Sequence, residues 1–300
     1  MSMSSPIDDL RKFLNVEQLP AMPHSALSVL QLDNDVSKVD INDLVRPVES
    51  DPGLAAQVLK FLNSSYFGFQ STISSIKQGI ALVGIRIVKN FVLWKAVFSL
   101  IPKSGLAGFD VGMLWQDSLR RAMFSRFLLL ELKKGDPEIA FAGTLLQDMA
   151  IPILLKQRND LYGNVLSALV QDPTARLGDL EKNTFGWTHA DAAGILGRNW
   201  KLPAQLVTII ENHLNLEEAV KNVDGHCEQS IVALSALLPV AASSQWNEKE
   251  LFFSHFNTIF PGKSEVVTSI SAKVDNEYDQ YAVILQLAKP KIPLSDYLKQ

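Results

Sequence analysis

The chain has 300 residues, a formal net charge of -4 and one cysteine. Apolar residues make up 47% of it and charged residues 20%, as in globular proteins that bury a sizeable core. The negative net charge argues against bulk affinity for nucleic acid, because such affinity rests on the neutralisation of phosphates. The lone Cys227 excludes an intramolecular disulfide and a thiolate metal cluster within these residues.

Neither a targeting segment nor a membrane span is indicated by the sequence. Residues 1–9 are polar and acidic, unlike the basic and apolar start of a signal peptide. The most apolar run, residues 80–102, contains Arg86, Lys89 and Lys95, and this charge is too high for a membrane helix. We therefore expect a cytoplasmic protein without membrane contact.

Helical periodicity dominates the first hundred residues. Asp40 and Asp51 stand at cap positions before periodic stretches, and Pro52 suits a first helical turn. Residues 75–97 predict two further helices that break near Gly84. The stretches in which apolar residues recur at helical spacing are residues 26–30, 41–48 and 54–62.

The helical pattern continues after residue 110. Residues 113–134 predict one long helix, which a basic pair and the following Gly135 end. Asp136 and Pro137 then begin the next helix as its N-cap and first helical residue. Further predicted helices cover residues 160–170, 190–199, 203–213 and 229–242, the last of them ended or kinked near Pro239. Since no stretch alternates like a strand, we predict an all-α fold.

Residues 140–150 combine a buried helix with a polar pair. Residues 139–146 are small or apolar on every face, so protein should surround this helix. Gln147 and Asp148 follow, and a buried carboxylate requires a partner because an unpaired buried charge is costly. A metal ion is one such partner, although the amide of Gln147 is a poor metal ligand.

An ordered series of motifs resembles those of the HDOD domain family. They include Leu19-Pro20-Ala21-Met22-Pro23, the helix that ends in Gln147-Asp148, and Trp200-Lys201-Leu202-Pro203. Residues 73–84 resemble the family pattern I-S-S-L-x-x-A-I-x-x-L-G, with mild departures. The other matching segments are residues 49–54, 62–68, 115–118 and 186–189. Together the motifs cover about residues 10–214.

The resemblance implies a fold and a domain organisation. HDOD domains are similar to the HD and HD-GYP phosphohydrolases, occur in bacterial signalling and generally lack an intact catalytic set. We accordingly expect an HD-domain-like helical bundle with an N-terminal helical lobe. The domain would cover residues 10–214, with the N-terminal lobe to about 105, a linker at 105–109 and the HD-like lobe from about 110. Residues 215–300 would form a C-terminal helical extension that packs on it.

The resemblance also implies that an ancestral metal site has been dismantled. The first His ligand of the superfamily falls on Asp117, and the His of its His-Asp pair falls on Gln147. The Asp of that pair remains as Asp148. HD-GYP enzymes add a single His, matched here by His189, and a His-His pair, matched by Asn212-His213. These six positions are therefore the vestigial site.

The last expected ligand, a closing Asp, is missing. It should lie within residues 230–242, which contain no carboxylate. Asp117 is left as a possible oxygen ligand beside Asp148, His189 and His213. Because metal-assisted hydrolysis needs several such ligands to activate water, we expect no bound metal, no cofactor and no residual phosphohydrolase activity.

Ordinary structural roles account for the remaining candidates. Thr188 fits a helix cap with Asp191 in a capping-box role, and His189 would then form only local hydrogen bonds. His213 ends a helix, where its ring interacts favourably with the carbonyl end. Asp148 would accept hydrogen bonds from neighbouring backbone or from the amide side chain beside it.

Basic residues concentrate in one segment. Residues 52–109 contain six bases and no acid, whereas residues 1–51 carry nine acids and four bases. Lys77, Arg86 and Lys89 form the candidate partner surface. They could contact an acidic protein partner, or nucleic acid through a pair of helices that resembles a helix-turn-helix. We favour the simpler alternative of a solvated rim that pairs with the acidic first segment.

Three classes of function remain. The first is a non-catalytic signalling module, in which an HD-like scaffold binds a signalling protein partner or holds a small ligand in its old cleft. The second is a metal-dependent phosphohydrolase that acts on a nucleotide or cyclic dinucleotide. The third is a nucleic-acid-binding regulator that uses the basic segment. The lost ligands and the negative net charge favour the first class.

Overall fold

The structure is a computed structural model that describes residues 5–32, 38–64, 67–102, 109–172, 174–221, 227–241, 243–285 and 287–299. Within these ranges every regular element is an α-helix or a short 3-10 turn, and the all-α prediction is confirmed. The linker predicted at 105–109 lies outside the described residues, apart from Phe109.

The chain divides into two compact units. The smaller unit comprises residues 20–100 and 277–287, and the larger unit comprises residues 1–19, 101–276 and 288–300. The first helix, α1 (Pro6–Leu14), therefore lies in the larger unit and not with the N-terminal helices. Of residues 215–300, all but 277–287 lie in the larger unit.

Local caps set the helices of the smaller unit. Its helices are α2 (His24–Leu30), α3 (Ile41–Glu49), α4 (Pro52–Leu62), α5 (Ile76–Val83) and α6 (Ile85–Leu100). The predicted caps are confirmed, since the side chain of Asp40 accepts from the backbone N–H of Asn42 and that of Asp51 from Leu54. The predicted break between α5 and α6 is confirmed at Gly84, whose φ of 94° favours glycine.

The larger unit holds the remaining helices. They are α7 (Val111–Leu132), α8 (Pro137–Leu146), α9 (Ile151–Gln157), α10 (Asn159–Gln171), α11 (Leu177–Phe185), α12 (His189–Asn199), α13 (Ala204–Glu211), α14 (Leu216–Lys221), α15 (Cys227–Ser235), α16 (Lys249–Ile259) and the first part of α17 (Glu265–Leu285). The helices predicted at 113–134, 160–170, 190–199 and 203–213 are confirmed within two residues at each end.

Helix α8 lies at the centre of this unit. It packs along α7, and α13 and α15 pack against it. Asp136 caps α8 as predicted, because its side chain accepts from the backbone N–H groups of Glu138 and Ile139. A Cβ atom at Gly143 would lie 2.7 Å from Cγ2 of Ile209, so glycine is what allows α13 to approach α8 this closely.

One stretch of this core has the length and composition of a membrane helix. Pro137–Gln157 spans 21 residues with a mean hydropathy of 1.4 in its most apolar window. However, 83% of that window is buried inside the protein. The apolar character of α8 and α9 therefore reflects their central position in the larger unit.

Helix α15 ends near Pro239, as the sequence predicted. It stops at Ser235, and tight turns follow at Leu237 and Leu238. Pro239 disfavours a helical conformation in the residue before it, which explains this end. The backbone of residues 237–241, here called the unwound segment, is consequently available to side chains from other elements. Trp246, for example, donates its Nε1–H to the carbonyl of Leu237 at 2.7 Å.

Candidate functional site

Three ligand-type atoms converge inside the larger unit. Nε2 of His189 lies 3.4 Å from Oδ1 of Asp148, and Nε2 of His213 lies 3.5 Å from the same oxygen. The two Nε2 atoms are 3.2 Å apart. All three residues are buried, with exposed fractions of 6% for Asp148, 3% for His189 and 1% for His213. The structure thus brings together three of the six vestigial positions.

The ends of three helices position these atoms. Asp148 lies in the turn after α8, His189 is the first residue of α12, and His213 follows the end of α13. The predicted capping box at α12 is confirmed, because Thr188 accepts from the N–H of Asp191 and the carboxylate of Asp191 accepts from the N–H of Thr188. This box fixes the start of α12 and so the position of His189.

Each imidazole is held through its second nitrogen. Nδ1 of His189 lies 2.7 Å from Oε2 of Glu181, which also accepts the backbone N–H of His189 at 2.9 Å. Tyr162 donates its hydroxyl hydrogen to the other oxygen of Glu181. Nδ1 of His213 lies 2.7 Å from the carbonyl oxygen of Ile210. His213 therefore contacts the carbonyl end of its helix as predicted, whereas the expectation of purely local bonds for His189 is wrong.

Arg121 provides the main cationic contact of Asp148. Its Nη1 lies 3.0 Å from Oδ2 of Asp148, and its Nη2 donates to the carbonyl of Leu238 in the unwound segment at 3.4 Å. The amide of Gln147 is a weaker donor to the same Oδ2, at 3.5 Å. Asp148 thus accepts from Gln147 as predicted, and an ion pair from α7 that the sequence did not predict contributes the stronger contact.

The electrostatics of this cluster follow from burial and charge. Burial opposes ionisation of Asp148, but the hydrogen bonds of His189 and His213 and the charge of Arg121 outweigh it and hold the pKa of Asp148 well below its usual range. Burial likewise lowers the pKa of His189, yet the negative charges of Glu181 and Asp148 raise it to about 10. Two carboxylates thus face one guanidinium and one imidazolium in the metal-free protein.

The remaining vestigial positions lie outside the convergence. Oδ1 of Asp117 accepts the backbone N–H of Ala241 at 2.6 Å and lies 3.3 Å from Nη2 of Arg120. Burial raises the pKa of Asp117 although Arg121 and Arg120 oppose it. Asn212 donates to the carbonyl of its own helix at Thr208 instead of facing Asp148. Asp117 is not among the three residues whose ligand atoms converge, and its Oδ1 is bonded to backbone.

The candidate partner surface is only partly exposed. Lys77 and Arg86 are exposed, but Lys89 is buried with 8% of its surface accessible. Nζ of Lys89 donates to the carbonyl oxygen of Leu32 at 2.7 Å. Lys89 therefore does not present an exposed charge on this surface, because its ammonium group bonds to a backbone acceptor.

The sequence matches the model of a known domain family. A model of the HDOD domain matches residues 19–216, about two thirds of the chain. The chain belongs to the HDOD family. A protein from Treponema pallidum, described as uncharacterised, is 23% identical over 214 residues. That match covers 68% of this chain and 39% of the relative, so the chain spans well under half the length of the curated relative it matches.

Solved structures share the HDOD fold. An HDOD domain protein of unknown function from Geobacter sulfurreducens has a TM-score of 0.72 and 21% identity, with 93% of this chain and 97% of that chain covered. A protein from Shewanella amazonensis, provisionally named a phosphohydrolase, has a TM-score of 0.71 and 18% identity. The match covers 95% of this chain and 99% of that chain. A protein from Marinobacter aquaeolei, provisionally named a signal transduction protein, has a TM-score of 0.68 and 18% identity. The match covers 95% of this chain and 68% of that chain. These likenesses confirm the HD-like helical fold.

Sequence reasoning missed three residues of this HDOD site. Arg121 lies one helical turn after Asp117 on α7, and that spacing was its only local indication. Glu181 lies on α11, eight residues before His189, and Tyr162 lies on α10. Acidic and aromatic residues on surface helices are common, so neither position stood out before the helices were packed together.

The converging atoms fit one metal ion better than two. Two imidazole nitrogens and a carboxylate oxygen are suitable ligands for a divalent transition metal. The second oxygen of Asp148 is engaged by Arg121, and Asp117 is bonded to the unwound segment. Among the described residues 230–241 there is no carboxylate to complete a second set. The three converging residues therefore offer ligands for one metal ion.

Proposed function

We propose that this chain is a cytoplasmic, non-catalytic signal-transduction module of the HDOD type. It acts by binding a signalling protein partner or a small ligand, on a scaffold whose old active site no longer performs hydrolysis. The observation that carries this proposal is the buried ion pair between Arg121 and Asp148. It places a cation of the protein itself on the one carboxylate that the superfamily's His-Asp pair retains.

The chemistry of hydrolysis explains why this pair matters. Metal-assisted phosphate hydrolysis needs ions that activate water and neutralise the phosphate oxygens. Here one oxygen of Asp148 is engaged by Arg121, and the guanidinium is itself anchored to the carbonyl of Leu238. The buried Arg120 in turn contacts Asp117 and the carbonyl of Pro239. Arg121 and Arg120 thus bind Asp148 and Asp117, the two carboxylates that a hydrolytic metal site would need as free ligands.

Unpartnered polar atoms beside Asp148 favour a small ligand in the cleft. Oε1 of Gln147 and Nε of Arg121 are buried without a hydrogen-bond partner among the described residues. Buried polar groups of this kind are normally satisfied by protein, water or ligand. A polar molecule with both a donor and an acceptor would complete them. The name of the Marinobacter protein, which refers to signal transduction, is in line with such a role.

The alternative is a metal-dependent phosphohydrolase acting on a nucleotide or cyclic dinucleotide. Its specific support is the convergence of Asp148, His189 and His213, together with the name of the Shewanella protein. A nucleic-acid-binding regulator has less support, because Lys89 is buried and so only Lys77 and Arg86 remain exposed among its candidate residues.

An activity assay separates these functions. The purified protein should release no product from p-nitrophenyl phosphate, bis-p-nitrophenyl phosphate or a cyclic dinucleotide, with Mn²⁺ or Fe²⁺ added. Asp148→Ala is the matched control, since it removes the central carboxylate. Metal-dependent turnover by the parent that disappears in Asp148→Ala would establish the phosphohydrolase and overturn the proposed function.

A further inference from the structure

The distances between the three converging atoms match those around a metal ion. Ligand atoms bound tetrahedrally at about 2.1 Å from a zinc ion lie about 3.4 Å from one another. The separations of Asp148 Oδ1, His189 Nε2 and His213 Nε2 are 3.2, 3.4 and 3.5 Å. A single ion can therefore contact all three atoms without any movement of the helices that carry them.

Both imidazoles are oriented as metal ligands. A carbonyl oxygen can only accept, so the contact with Ile210 places the Nδ1 hydrogen on His213. The carboxylate of Glu181 fixes the Nδ1 hydrogen of His189 in the same way. Metal-binding histidines characteristically donate their second nitrogen to such acceptors. Both Nε2 atoms are then directed into one space, which holds the Nε2 hydrogen of the His189 imidazolium in the metal-free protein and where a metal ion would replace that hydrogen.

The carboxylate of Asp148 limits the site to one ion. Its Oδ1 faces the two imidazoles, whereas its Oδ2 is bonded to Arg121 at 3.0 Å. Two-ion sites hold their metals about 3.5–4 Å apart and share ligands between them. With Oδ2 engaged, Asp148 is not free to bridge a second metal, and Arg121 supplies positive charge on that side instead.

We propose that Asp148, His189 and His213 bind one divalent transition metal ion, with zinc the best match to the two nitrogens and one oxygen. This differs from the expectation, drawn from the lost positions, that no metal is retained. The ion would connect the end of α8, the start of α12 and the end of α13. It requires no catalytic turnover, so the proposal goes beyond the signalling function and does not depend on it.

Metal binding by the intact protein tests this proposal. The purified chain is stripped with dipicolinic acid and titrated with Zn²⁺ or Co²⁺ alone. We expect one equivalent to bind, the Co²⁺ protein to show visible ligand-field bands, and the melting temperature to rise, since an ion bound to the native state stabilises it. Binding of less than one equivalent, or no change in melting temperature, would overturn the proposal.

Variants locate the ion. His189→Ala and His213→Ala should each weaken Co²⁺ binding at least tenfold and abolish the bands. His24→Ala, which removes an exposed histidine on α2, should bind as the parent does. Equal binding by all three variants would place the ion elsewhere and refute the site.

X-ray absorption spectroscopy of the parent protein identifies the metal ligands even if a ligand variant does not fold. The Zn²⁺-loaded parent should show two imidazoles and oxygen ligands at about 2.0–2.1 Å. A coordination shell without two imidazoles would contradict the assignment. Turnover in the phosphatase assay would overturn the proposed signalling function and leave the metal site intact, whereas absence of metal would do the reverse.

Discussion

The ion pair between Arg121 and Asp148 is a buried contact with a definite energetic consequence. The side chains of Arg121 and Asp148 are 10% and 8% exposed, respectively. Breaking a buried pair by removing one partner leaves the other charge without compensation, which costs about 3–5 kcal/mol, whereas removing both partners costs much less. The pair should therefore be visible in the unfolding free energy.

Replacing Arg121 tests this directly. In metal-free protein, Arg121→Met should lower the free energy of unfolding by about 3 kcal/mol, because Asp148 stays charged and buried. The double variant Arg121→Met/Asp148→Asn should recover part of that loss. Urea unfolding of the parent, both single variants and the double variant measures the coupling. If Arg121→Met is as stable as the parent, the ion pair contributes nothing to the stability of the protein.

His189 confers a pH dependence with a predictable sign. In the metal-free protein its imidazole lies between Glu181 and Asp148, contacts His213, and is separated from Arg121 by Asp148. Its pKa rises from 6.5 to about 10, with the charge of Glu181 the largest favourable cause. The stabilisation is fully present below pH 6.5 and is lost as the pH rises through about 10.

Stability measured against pH checks this. In the presence of a chelator, the free energy of unfolding of the parent should fall as the pH rises above 6.5 toward about 10. Glu181→Gln should flatten this fall, because it removes the charge that contributes most to the raised pKa of His189. Parallel pH profiles for the parent and Glu181→Gln would show that His189 is not protonated over this range.

At the scale of single elements, the start of α12 depends on its capping box. Thr188→Ala should lower the free energy of unfolding by about 1 kcal/mol, since the backbone N–H of Asp191 loses its acceptor. Thr188→Ser keeps the hydroxyl and serves as the matched control. Thermal or urea unfolding provides the measurement, and equal losses for both substitutions would assign the effect to packing of the threonine methyl group.

Such local features are the part of the fold that the sequence predicts well. Asp40, Asp51, Asp136 and Thr188 each bond within three residues of themselves, so their effect is encoded in a short window. The break at Gly84 is equally local. Helix ends that depend on such contacts could therefore be placed before any packing was known.

The contacts that sequence reasoning missed connect distant parts of the chain. Arg121 meets Asp148 across 27 residues and Leu238 across 117. Pro239 indicated the end of α15, but the α7 side chains that bind the unwound segment lie 117 to 124 residues away in the chain and could not be predicted. The ligand positions were recognised one by one, but their convergence depends on how α8, α12 and α13 pack.

At the scale of the whole molecule, the basic segment remains the candidate surface for a protein partner. Exposed charges contribute little to stability, so reversing Lys77 and Arg86 to Glu should leave the fold intact. The same double change should weaken a complex with an acidic signalling partner. If nucleic acid is the partner, the change should instead abolish binding that was already steeply salt-dependent.

Lys89→Glu serves as the contrasting variant. It places a negative charge where a buried ammonium group now bonds to the carbonyl of Leu32, so it should lower the melting temperature markedly. Circular dichroism and pull-down assays on both variants separate surface from structural roles. Loss of folded protein in the Lys77/Arg86 double variant would show that these bases are structural too.

The unwound segment after α15 limits what single amino-acid substitutions can do at this site. Arg120 and Arg121 are anchored there to main-chain carbonyls of Pro239 and Leu238, and Asp117 to the main-chain N–H of Ala241. Main-chain groups persist whatever side chains occupy residues 237–241. Gln147→His alone would therefore restore an imidazole without freeing Asp148 from Arg121. On the proposed non-catalytic function, we therefore expect that Gln147→His alone does not produce phosphohydrolase activity and that replacements at both Gln147 and Arg121 are required.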